Sequence, residues 1–169
     1  MIISDFISSD LQTKLLKWIQ DSADNLISVD QYRKCLRLNG YQGFISSDVC
    51  ELKNAIIDRM NLKEYEDSDR TKNVFFNCFS QNAQLHRHKH YPVKGLCDLR
   101  CNVLLSGDLD DGLPVVENYV FKVRERDLWV FNANLEHWSE PVKSNKNRIA
   151  LSFGFLVPEN HRILTEGTT

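Results

Sequence analysis

The chain has 169 residues, 42% hydrophobic and 26% charged, with a formal net charge of −2. That length supports one domain with a real core, and the composition is ordinary for a soluble globular protein. The balanced charge gives no bulk attraction to nucleic acid or a membrane surface, and no apolar run approaches spanning length, so neither is expected as a partner.

Met1-Ile2-Ile3-Ser4-Asp5-Phe6 has no basic region followed by an apolar one, so it does not read as a signal peptide. Residues 1 to about 65 read mainly as helical support. Ser8-Ser9-Asp10 can cap a helix running through Leu11, Leu15, Leu16, Trp18 and Ile19, apolar at helical spacing. Asn39-Gly40-Tyr41-Gln42-Gly43 reads as a turn. Ser46-Ser47-Asp48 looks like a second N-cap, before an apolar face of Val49, Leu52, Ile56, Ile57 and Met60. The charged run from Lys63 to Lys72 reads as a solvated connection.

Residues 71–158 read as strands. The expected segments are Asn73–Phe79, Ala83–His90, Leu99–Leu105, Val115–Val116, Tyr119–Val123, Leu128–Phe131, His137–Val142 and Arg148–Val157. Ser106 to Pro114 carries turn chemistry, with Gly107, Asp110-Asp111-Gly112 and Pro114. A faint calcium-loop pattern there, closing at Glu117, is better read as a polar turn, because β patterning and Pro114 argue against helix-loop-helix. Helices first and strands after predict an α+β fold over 1–169, with helices packed on one sheet of a sandwich or barrel. Cysteines 35, 50, 78, 97 and 101 are odd in number with no CxxC pair. Free thiols in a reducing cytosol are therefore expected.

Four of the five histidines fall in the β region. His86, His88 and His90 alternate, and His137 lies far downstream. Residues i and i+2 of a strand share a face, so two imidazoles joined by one from a distant strand can build a metal site. The pair could be His86 with His88, or His88 with His90. No Asp or Glu stands two residues after any of them, so the ligand set would be three neutral imidazoles. Arg148 shares a strand face with Ala150 and Ser152. An arginine pointing into a β core needs an anion, either a local carboxylate such as Glu136 or Asp127, or a bound one. Arg100 and Asn102 also share one strand face.

Residues 84 to 157, a little under half the chain, resemble the 2-oxoglutarate and Fe(II)-dependent oxygenase superfamily in its prolyl-hydroxylase and aspartyl/asparaginyl-hydroxylase-like branches. The segments carrying the resemblance are HRHKHYPVKGLCDLRCNVLLSG, DDGLPVV, RDLWVFNANLEHWSEPV and NRIALSFGFLVP. It implies a double-stranded β-helix, a jelly-roll-like, cupin-like sandwich. It sets the frame: counting back from Arg100 and Asn102, His88 falls on the family histidine and His90 on its carboxylate position. His137 matches the distal histidine, and Arg148 the basic residue that meets the far carboxylate of 2-oxoglutarate. Arg100 and Asn102 match the strand reaching that cosubstrate. The family chemistry uses Fe(II) and dioxygen, oxidises 2-oxoglutarate to succinate and carbon dioxide, and hydroxylates a small molecule or an amino-acid side chain. Two other readings compete: a three-histidine cupin-like metal enzyme without 2-oxoglutarate, and a non-catalytic β-sandwich binding module. Substrate and oligomeric state are not encoded in any motif of the chain.

Overall fold

Serines start the two long helices among the described residues. Ser8 Oγ accepts from the Leu11 amide and opens α1 (Ser9–Asp21), and Ser46 does the same for Val49 at α2 (Ser47–Met60). Each cap satisfies an amide that the first helical turn leaves without a partner. Asn61 ends α2 in the left-handed conformation, φ 53°, a residue type that tolerates it. The computed structural model describes residues 1–22, 27–28, 33–37, 46–63, 65, 75–91 and 94–163.

The strands are β1 (Ile2–Ile3), β2 (Ile27–Ser28), β3 (Arg33–Arg37), β4 (Phe75–Phe79), β5 (Leu96–Ser106), β6 (Pro114–Val116), β7 (Tyr119–Val120), β8 (Leu128–Asn132), β9 (His137–Ser139) and β10 (Arg148–Pro158). They form a seven-stranded sheet in the order β1-β8-β5-β10-β4-β3-β2 and a three-stranded sheet in the order β7-β6-β9. Every pairing is antiparallel.

Alternation along the two long strands decides where the core and the site sit. Leu99, Cys101, Val103 and Leu105 of β5, with Leu151, Phe153 and Phe155 of β10, pack under the buried helix residues Leu11, Leu15, Val49, Leu52 and Ile56. Fully burying one such aliphatic side chain contributes about 1.5–3 kcal/mol, so this layer holds the helices to the sheet. The intervening residues face the other way. They are Asp98, Arg100 and Asn102 on β5, and Arg148, Ala150 and Ser152 on β10, all buried. Asn102 stands opposite Ser152 in the ladder, and the register shifts between Ile149 and Ala150. That second face looks toward the small sheet. Val116 of β6 packs with Leu104, Trp129 and Ala150 across the gap.

Several expectations need correction. The first 65 residues are not only helical, because β1, β2 and β3 also fall there. β1 pairs with β8, and β3 with β4, so these strands draw their hydrogen bonds from distant partners that local sequence does not announce. Residues 83–90 are not a ladder strand. They run extended beside β9 with a bend at Arg87 and a single bridge, His88 to His137. β7 and β9 stop at Val120 and Ser139, short of Val123 and Val142. The turn at 39–43 and most of the charged run 63–72 lie outside the described residues. Cys50, Cys97 and Cys101 are free thiols. Among the described residues, no helix is long and apolar enough to cross a membrane.

The 107–112 turn has a second duty. Gly112 has φ +59°, and a Cβ there would lie 2.8 Å from Val142 Cγ2 and 2.9 Å from Arg148 Cδ. A Cβ on Gly107 would lie 3.3 Å from Arg148 Cγ. Two glycines thus let the loop close against the aliphatic stem of Arg148. Gly112→Ala must strain the backbone and push that stem aside. We expect a loss of about 1–3 kcal/mol in stability, read as a lower urea midpoint. An unchanged midpoint would mean the loop yields freely and does not hold the arginine.

Candidate metal centre

His88, His90 and His137 converge. One ring nitrogen from each can be chosen so that all lie within 4.8 Å of one another. Ring centroids are 4.2 Å apart for His88 and His137, 5.3 Å for His90 and His137, and 5.6 Å for His88 and His90. The convergence comes from backbone pairing between residues 83–90 and the chain around β9. His88 and His137 exchange both amide-to-carbonyl hydrogen bonds, at 3.0 and 2.8 Å, and the His90 amide donates to the Ala133 carbonyl at 2.8 Å. Beyond the bend at Arg87, His86 is exposed and stands outside the cluster. The cluster opens toward solvent at His88 and is closed at His137, which is 4% exposed.

The hydrogen bonds decide which nitrogens can bind a metal. His88 Nδ1 lies 2.8 Å from the His86 carbonyl, and His137 Nδ1 lies 2.9 Å from the Leu135 carbonyl. His90 Nδ1 lies 2.7 Å from Asp98 Oδ2. A carbonyl or an ionised carboxylate only accepts, so in each ring Nδ1 carries the proton and donates it. The lone pair is left on Nε2 in all three. Burial, with lesser help from His88, His90 and Arg100, pushes His137 down to about 4 against the opposing pull of the Leu135 carbonyl. The ring is therefore neutral at pH 7, the form a metal requires. Burial pushes the Asp98 carboxyl up, but the His90 hydrogen bond and the nearby Arg100 charge outweigh it and hold it below its ordinary value.

A pocket between the sheets is lined by both His137 and Arg148. Asn77, Asn102, Val116, Trp129, Phe131 and Trp138 help line it. It offers about 70 Å³ to the centres of water-sized spheres, several times what one water needs. Arg148 is 4% exposed and its Nη2 makes no hydrogen bond among the described residues. Its guanidinium carbon lies 5.4 Å from the Trp129 ring. Burial pushes it down to about 10, and Asp111 partly opposes that; it stays charged at neutral pH. The local carboxylates that could have claimed it are engaged elsewhere. Glu136 pairs with Arg87, and Asp127 accepts from the amides of Asp5 and Arg124. Asp111 accepts from the amides of Lys143 and Ser144. The pocket is therefore lined by a buried cation with a donor to spare, which suits an anion.

Asn102 lines the pocket, and its Nδ2 donates to the Trp129 carbonyl at 3.5 Å. Arg100, on the same strand face, is not among the pocket-lining residues and donates from Nη2 to Asp98 Oδ2 at 3.2 Å. Asp98 is the residue that sequence reasoning passed over. A signal was available: Asp98, Arg100 and Asn102 stand at i, i+2 and i+4, three polar side chains on one face of a strand whose other face is apolar. Trp129 is both a member of the smaller core cluster and part of the pocket wall.

No protein-family model matches the chain, and no curated protein sequence does. Solved structures do match. One is a viral collagen prolyl hydroxylase from Paramecium Bursaria Chlorella virus-1, in complex with 2-oxoglutarate: TM-score 0.69, 14% identity, covering 93% of this chain and 96% of that one. The chain has the fold of the prolyl hydroxylases. A second match is a Trichoplax adhaerens prolyl hydroxylase in complex with a peptide fragment of the hypoxia inducible factor oxygen degradation domain, at TM-score 0.68 and 16% identity over 96% of this chain and 84% of that one. A third is HygX from Streptomyces hygroscopicus with nickel and 2-oxoglutarate bound, at TM-score 0.69 and 10% identity over 92% and 81%. The three converging histidines fit a divalent metal. Three imidazole nitrogens are a good donor set for iron, zinc or copper, and the set contains no direct carboxylate.

Proposed function

We propose that this chain is an Fe(II)- and 2-oxoglutarate-dependent dioxygenase that hydroxylates a small molecule or an amino-acid side chain. It is built as a double-stranded β-helix in one domain over 1–169. The observation that carries the reading is one pocket lined both by His137, a member of the three-imidazole cluster, and by a buried, charged arginine with a donor to spare. Metal and dicarboxylate each have a partner there.

His88, His90 and His137 hold the metal through Nε2, each kept in register by the acceptor on its Nδ1. Bound iron supplies the activation of dioxygen, with the balance 2-oxoglutarate plus dioxygen plus R–H giving succinate, carbon dioxide and R–OH. Arg148 binds the far carboxylate of the cosubstrate and fixes its direction. Asn102 offers a side-chain amide along the wall. Trp129, Phe131 and Val116 narrow the pocket and exclude water, which strengthens the arginine–carboxylate attraction. The exposed edge of His88 leaves the metal end as the side from which substrate arrives. The free thiols of Cys50, Cys97 and Cys101 support a reducing, cytoplasmic setting.

The test is anaerobic loading with Fe(II) followed by titration with 2-oxoglutarate, watching for the visible metal-to-ligand charge-transfer band. The reading expects the band to rise and saturate. Iron bound with no band favours a three-histidine metal enzyme that does not use 2-oxoglutarate, a reading supported by the neutral ligand set. No iron bound returns the chain to a binding module.

A further inference from the structure

The ligand set lacks a carboxylate, yet one stands directly behind it. Asp98 is 5% exposed and its Oδ2 accepts from His90 Nδ1 at 2.7 Å. The pair is locked through the main chain as well. The His90 amide donates to the Ala133 carbonyl, and the Ala133 amide donates to the Asp98 carbonyl, both at 2.8 Å. The Asp98 amide donates to Asn134 Oδ1 at 2.8 Å. Arg100 Nη2, at 3.2 Å, joins His90 on the same carboxylate oxygen, while Oδ1 is buried without a hydrogen bond among the described residues. An ion pair built only for stability would use both oxygens, since a bidentate fork is the strongest arrangement. Here both donors converge on one oxygen, and that oxygen faces the imidazole.

We propose that Asp98 is a positioning residue for the metal centre. It holds His90 with Nε2 toward the metal and passes to it, through the Nδ1–H bond, the negative charge the three ligands lack. This rests on the metal-site reading above. An acceptor on the far nitrogen fixes the tautomer, stops the ring from flipping and raises the basicity of the ligating nitrogen. A carboxylate does all three more strongly than the carbonyls behind His88 and His137, because it is charged. Arg100 restrains Asp98 through the hydrogen bond to Oδ2. In this arrangement the position two residues after His88 keeps its charge at one remove, carried by the neighbouring strand.

The test is an anaerobic Co(II) titration against a competing chelator, with Arg100 replaced so that Asp98→Asn does not leave a buried guanidinium without its carboxylate. Arg100→Met is the reference. Adding Asp98→Asn should weaken Co(II) binding about 10–100-fold, the usual effect of losing an outer-shell partner. The same Asp98→Asn step is then made on Arg100→Met with His90→Asp, where a carboxylate ligates directly. There it should cost nothing or help, since two close carboxylates repel. An equal loss in both backgrounds would show a merely structural role and overturn the proposal, as would no loss in the first. Histidine ¹⁵N NMR of the unsubstituted, zinc-loaded protein gives a second readout. A protonated, exchange-protected Nδ1 and a metal-bound Nε2 at His90 are expected, and metal on Nδ1 overturns the idea. If the unsubstituted protein binds neither Co(II) nor zinc, the metal-site reading falls first and this inference with it.

Discussion

Replacing Arg148 with methionine should remove most 2-oxoglutarate affinity and leave the protein at least as stable as its parent. The two effects have one cause. Arg148 is a buried cation whose nearby carboxylates are used elsewhere and whose Nη2 has no hydrogen bond among the described residues. Its depression from 12.5 to about 10 means that burial disfavours the charged form by about 3 kcal/mol at neutral pH. A residue kept at that cost is explained by a ligand that relieves it. Methionine retains a linear stem, so the contacts with the 107–112 loop survive while the charge goes. Losing one partner of a buried charged pair costs about 2–5 kcal/mol in binding, roughly 30- to several-thousand-fold in Kd. Arg148→Lys keeps the charge but loses the fork, and should fall between. The measurements are the charge-transfer titration and the urea midpoint of the metal-free protein. Undiminished affinity would remove Arg148 from the cosubstrate site. A large drop in midpoint would recast it as a structural residue.

Much of this site was legible before folding, but not for the reason first given. The alternation of His86, His88 and His90 suggests a strand, and there is none. Residues 83–90 lie extended against β9, bonding through Ala83, Leu85 and His88, and the bend at Arg87 turns His86 out. His88 and His90 still converge with His137, because paired amides set their positions. Arg148 was legible because a cation is conspicuous on a strand that reads Ile149, Leu151, Phe153 on one side and Ala150, Ser152 on the other. The helices were legible from their caps and apolar spacing. What stayed hidden depends on partners distant in sequence. β1 and β3 need β8 and β4 to become strands. The 107–112 turn reads as polar from its aspartates. Only the packing shows that its two glycines make room for Arg148.

His137 carries the other large effect, and it reads out with and without metal. His137→Leu removes the buried ligand. Metal affinity should fall by more than the roughly 10–100-fold that loss of an outer-shell partner costs. In the metal-free protein the ring is held neutral down to about 4, whereas an unfolded histidine takes a proton near 6.5. Between those values the unfolded chain binds more protons than the folded one at this position. Stability therefore rises with pH across the window and is lost as pH falls from about 6.5 to about 4. Leucine has no proton to gain, so the variant lacks this part of the acid sensitivity. Urea unfolding of both metal-free proteins at pH 7 and pH 5 should show the parent losing ground to the variant at the lower pH. Bound metal should oppose the loss in the parent, because it occupies the lone pair that the proton needs. A variant that binds metal like its parent would take His137 out of the ligand set. A stability difference independent of pH would mean the folded ring titrates as freely as the unfolded one. Then the closed, dehydrated end of the pocket, on which both the metal and the cosubstrate arguments depend, would not exist in solution.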